Sequence, residues 1–99
     1  MKILAMEIET ENVVPGQFAP HSKAEAQRVW ELYQSGIIRE LYFRGDHSEA
    51  VLVLECADAD EAREILGSLP LVEAGLIRFD VIPLIPYLGF ARLFGEEKV

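Results

Sequence analysis

The 99-residue sequence holds one cysteine, Cys56, so no disulfide can form within the chain. That usage fits a reducing compartment, and a cytoplasmic protein is expected. No stretch approaches the ~20 apolar residues that a membrane helix needs. The opening, Met1-Lys2-Ile3-Leu4-Ala5-Met6 before Glu7, is too short an apolar run for a signal peptide. Positive charge is scarce. Nine Lys and Arg stand against 17 Asp and Glu, a formal net charge of −8, which repels phosphate backbones and anionic membranes. Neither nucleic acid nor membrane is expected as a partner. The two histidines, His21 and His47, are far apart and have no second cysteine to complete a zinc-ligand spacing. Gly-rich phosphate loops and nucleophile elbows are also missing. No metal and no cofactor are expected.

What the sequence does have is hydrocarbon. Half of it, 51%, is hydrophobic and 26% is charged, as in an ordinary globular domain. Residues 1–99 are expected to form one domain. At this size a core is modest, so part of the apolar surface is expected to be buried between subunits of a homodimer or a ring of dimers.

Residues 2–9 alternate, with Leu4, Met6 and Ile8 on one face and Ala5, Glu7 and Glu9 on the other, which predicts a half-buried strand with the aliphatic set toward the helices. Residues 10–20, with Asn12, Pro15, Gly16 and Pro20, read as a loop. Ser22 and Glu25 have capping-box spacing, and Gly36 is placed to stop the helix between them. Its apolar positions are Ala26, Val29, Trp30 and Tyr33. Two strands follow, Ile37–Arg44 and Ala50–Glu55, around the turn Gly45-Asp46-His47-Ser48-Glu49. Asp58 and Glu61 cap a second helix whose apolar face is Ala62, Ile65, Leu66 and Leu69. A last strand, 75–83, is marked as an edge by Pro83 and Pro86. The order β-α-β-β-α-β predicts an α+β, ferredoxin-like fold: a four-stranded antiparallel sheet with two helices on one face. Residues 87–99 form an apolar C-terminal extension. Its Phe90, Leu93 and Phe94 are expected to be buried, on the chain's own helices or on a neighbouring subunit.

In this order the first and third strands are central. Glu7 and Glu55 then share the face away from the helices, on strands expected to run parallel. A symmetric turn would put Arg39 opposite Glu55, and Arg78 would flank Glu7. One reading makes Glu7 or Glu55 a general base, with Arg39 or Arg78 holding an anionic substrate. The other makes the same charges an ion-pair network across a dimer interface. His47 and His21 are the side chains whose ordinary pKa lies near neutrality; each can carry a proton, but a histidine before a helix or in a turn is more often a solvated surface group. Trp30, Tyr33 and Tyr42 can line an aromatic pocket or pack as core; Tyr33 and Tyr42 need hydrogen-bond partners if buried. Cys56 ends an apolar strand and reads as a small buried hydrophobe.

Gly36-x-x-Arg39-x-Leu41-Tyr42, a strand ending in Glu55, a helix ending in Leu69-Pro70-Leu71 and a strand carrying Val81 and Pro83 together resemble the muconolactone isomerase family. Residues 72–83 also resemble the end of YCII-related domains. The resemblance covers residues 36–85 in detail and the first strand and helix in outline. It implies a dimeric α+β barrel, no metal or organic cofactor, and a pocket for a small anionic or lactone-like molecule, on which a proton is shifted. It carries over to Arg39, to Tyr42 where the family has tryptophan, and to His47 in the turn. Glu40 stands at a histidine position of that pattern and Phe43 at an arginine position. Of the YCII histidine–aspartate pair, His21 is out of register and Leu69 stands at the aspartate position. An alternative from another class is a non-catalytic oligomeric binding or stress-associated module.

Overall fold

The computed structural model describes residues 1–95; the last four residues of the extension lie outside the described residues. Its strands are β1 (Lys2–Glu9), β2 (Ile38–Phe43), β3 (Ala50–Glu55) and β4 (Ile77–Pro83); its helices are α1 (Ser22–Gln34), α2 (Ala59–Gly67) and the one-turn α3 (Pro70–Glu73). The sheet order is β2-β3-β1-β4, with every neighbouring pair antiparallel. This is the expected ferredoxin-like α+β arrangement. The parallel pairing expected for β1 and β3 is not found. A helical crossover returns β2 parallel to β1, and the β2–β3 hairpin then makes β3 antiparallel to both.

The core lies on one face of the sheet. Ile3, Ala5, Leu52 and Leu54 from the central strands meet Leu32, Ala62, Leu66 and Leu69 from the helices. Cys56 is buried at the end of β3. The alternation of β1 is therefore real but inverted from expectation. Ile3 and Ala5 face the helices, and Leu4, Met6 and Ile8 face outward, where they align with Val53, Val51 and Arg78 of the neighbouring strands. Period-2 patterning fixes which residues share a face, not which face the helices cover. Here both faces carry hydrocarbon, and Ala5 is small enough for close packing beneath a helix.

Helix ends follow local chemistry. Gly36 at φ +84° terminates α1 with its N–H on Tyr33 O at 3.1 Å, and the Ile37 N–H reaches Leu32 O at 3.1 Å. Gly75 at φ +75° ends α3 with the same pair of bonds, to Val72 O and Leu71 O. Asp58 caps α2 by accepting the Glu61 N–H at 2.8 Å. The capping box expected at Ser22 does not form. The 3-10 turns Pro15–Gln17 and Ala19–His21 run straight into α1, so Ser22 is already helical and its hydroxyl donates to Phe18 O at 3.1 Å. On α1, Leu32 is buried and Val29 packs against the core, whereas Trp30 and Tyr33 are half-exposed.

The chain leaves the sheet after Leu84, whose N–H still reaches Lys2 O at 2.9 Å. Phe90, Leu93 and Phe94 are 67%, 76% and 85% exposed, so the expected burial on the chain's own helices is not met. Pro83 and Pro86 cannot extend a ladder, and residues beyond them project past the sheet. Among the described residues, no helix is long and apolar enough to cross a membrane.

Candidate functional site

Only the C-terminal half of α1 seals against the sheet. One turn earlier Ala26 is exposed, and opposite it Leu41 and Phe43 of β2 remain open. The space between is a cleft of about 590 Å³, walled by Phe18, Val29, Leu41, Phe43, Leu52 and Phe79 and floored toward α3 by Leu69 and Leu71. That is the size and apolar character of a small-molecule pocket.

Two carboxylates enter this hydrocarbon. Glu7 projects from the helix-facing side of β1, where Oε1 accepts the Ala50 N–H at 3.2 Å. Burial pushes its carboxyl above the ordinary value; the Ala50 bond opposes this, and the nearby charges of Glu49, Glu9 and Glu25 add to it. Glu25 comes from α1, and its Oε1 accepts the Leu71 N–H at 3.0 Å, in the first turn of α3. Burial raises its carboxyl too, against the Leu71 bond and His21. Read from sequence as half of a capping box, Glu25 instead bridges two helices and lines the cleft. Serine followed by glutamate at the right interval carries no signal of that tertiary role.

The β2–β3 turn closes the acidic end. Glu49 Oε2 accepts the Glu9 N–H at 2.8 Å, and its Oε1 meets His47 Nε2 at 2.6 Å. The Glu9 bond, with His47, holds the Glu49 carboxyl below its ordinary value. His47 Nδ1 lies 3.3 Å from Asp46, which Arg44 grips at 2.7 Å, bringing the Asp46 carboxyl down to about 2. His47 thus stands on the turn beside the cleft, tied to two carboxylates, and its neighbour Ser48 lines the wall.

Apart from Tyr42, which lines the cleft as well as a neighbouring groove, the other site residues singled out from the sequence lie elsewhere. Glu55 is on the outward face, paired in register with Lys2, five residues along β1 from Glu7 and so about 17 Å away. Its partner is the N-terminal ammonium at 3.5 Å. The expected Arg39–Glu55 pair does not form. The ladder passes from Ile38↔Leu54 to Glu40↔Val53, leaving Arg39 as the extra residue of a bulge, with Nε donating to Gly36 O. Arg78 is on the outward face and pairs with Asp80 at 3.3 Å, so it does not flank Glu7. Tyr33, Arg39 and Tyr42 line a second, more open groove of about 560 Å³ that shares Ala26, Val29, Leu41 and Tyr42 with the cleft. There Tyr42 donates to Glu40 at 2.8 Å. Among the described residues no three His, Cys, Asp or Glu side chains are grouped so as to hold a metal ion.

The family model for muconolactone delta-isomerase matches residues 3–88. No curated protein matches the sequence.

Proposed function

The chain belongs to the muconolactone delta-isomerase family, and on that premise we propose that its α1–sheet cleft binds a small lactone-like molecule and moves a proton on it. The observation that carries this reading is Glu7, a carboxylate held by one backbone N–H inside an apolar cleft of about 590 Å³. Desolvation raises its proton affinity above that of an ordinary carboxylate, which makes it a stronger base. In the reaction envisaged, Glu7 takes a proton from a carbon conjugated to the lactone carbonyl. The C–H electron pair passes into the conjugated system as an enolate. Return of a proton from Glu7, which exchanges with water while the carboxyl holds it, to another carbon of that system moves the double bond. Glu25, whose proton affinity burial also raises, is the second carboxyl of the cleft and would donate to the carbonyl oxygen when it carries a proton.

A second reading, a binding module without catalysis, is favoured by one fact: each carboxylate already serves a backbone N–H and so has a structural use. Ala26→Trp tests where ligand binds. Ala26 is exposed on α1 and lines the cleft, so tryptophan fills it with little cost to the core. With the methyl ester of muconolactone as ligand, calorimetric titration should show binding by the parent and at least a tenfold weaker constant in the variant. Equal binding by both would remove the cleft as the site.

A further inference from the structure

We infer that the α1–sheet cleft accepts uncharged lactones and related carbonyl compounds and discriminates against ligands that carry a carboxylate, an inference that rests on the cleft being the ligand site. Its wall is mostly hydrocarbon, which suits an apolar body. The charged side chains that line it are Glu7, Glu9 and Glu25, with no lysine or arginine among its described lining residues. Glu7 and Glu25 cannot swing clear without giving up the Ala50 and Leu71 N–H groups they hold. A ligand carboxylate would therefore add another negative charge to a partly desolvated space that already holds them, and like charges in such a space repel strongly. Desolvation raises the proton affinity of both carboxyls, the mark of a site where a further negative charge is costly. Arg39 lies outside this lining, in the adjoining groove, with Nε engaged by Gly36 O. A neutral carbonyl meets no such repulsion.

The test uses a pair of ligands that differ by one charge and one methyl group: muconolactone, which bears a carboxymethyl arm, and its methyl ester. Both are titrated at pH 7.5 by calorimetry and by amide NMR, with the Ala50 and Leu71 amides as reporters because they donate to the two carboxylates. The ester should bind at least tenfold more tightly and shift both reporters. In Glu9→Gln/Glu25→Gln, where glutamine still offers Leu71 an oxygen, the difference should shrink at least threefold. A free acid that binds the parent protein as tightly as the ester, or more tightly, overturns the inference while leaving the cleft as the site. Binding of neither ligand, or shifts confined to other amides, overturns the cleft itself and the inference with it. Should the double variant fail to fold, the comparison on the parent protein decides alone.

Discussion

Glu7 is expected to weaken the fold at neutral pH. Its folded-state pKa is raised, so the folded chain holds the proton more tightly than the unfolded one. Stability falls as pH rises from about 4.5 through the raised value, and the penalty is complete above it. Glu7→Gln removes that penalty and keeps an oxygen for the Ala50 N–H. Because water partly screens a half-buried carboxylate, the gain at pH 7 should be small, about 0.5 kcal/mol or roughly 2–4 °C in melting temperature. It should vanish near pH 4. A variant that melts below the parent at pH 7 would mean that the Glu7 charge holds the fold together. Sequence alone singled out Glu7 but assigned it to the wrong face, because Leu4, Met6 and Ile8 form a convincing aliphatic row that faces outward. Glu25 was hidden by a good helix-start signature. Arg39 was misplaced by a bulge, an insertion that no symmetric reading of a hairpin anticipates. Phe43 forms part of the uncharged cleft wall.

At the scale of elements, the four strands and the two longer helices were legible because of local causes such as Asp58 capping α2 and Gly36 ending α1, whereas the break between α2 and α3 was not. What local signals could not give is which stripe of α1 is buried. Leu32 packs in the core, while Trp30 and Tyr33 face the open groove with ring centroids 6.0 Å apart. The α1 stop is testable. At φ +84° a side chain at position 36 meets left-handed strain, so Gly36→Ala should cost ~1–2 kcal/mol. In a domain of this size that lowers the melting temperature by about 4–8 °C per kcal/mol. An unchanged thermal melt would show that the α1–β2 junction relaxes out of this conformation.

Outside the cleft and the groove, the described residues include two further open apolar surfaces, the outward sheet face with Leu4, Met6, Val51 and Val53 and the projecting segment with Phe90, Leu93 and Phe94. We propose that a second copy covers the first and that the segment docks on a neighbouring subunit. Fully burying one such large side chain is worth ~1.5–3 kcal/mol, enough for several together to sustain assembly. Light scattering at micromolar concentration should give a dimer or a multiple of it, and truncation after Pro86 should lower that mass or the melting temperature. A monomeric parent would contradict the sheet-face pairing. Truncation without effect on either quantity would contradict the docking of the segment.

The measurement closest to the central claim is deuterium incorporation from D₂O into the methyl ester of muconolactone, followed by NMR with the parent protein, Glu7→Gln and Glu55→Gln. Glu7 in the cleft as the proton carrier predicts exchange catalysed by the parent, a loss of about 10²-fold or more in Glu7→Gln, and parent-like exchange in Glu55→Gln. Full exchange in a folded Glu7→Gln variant, or its loss in Glu55→Gln instead, would contradict the account.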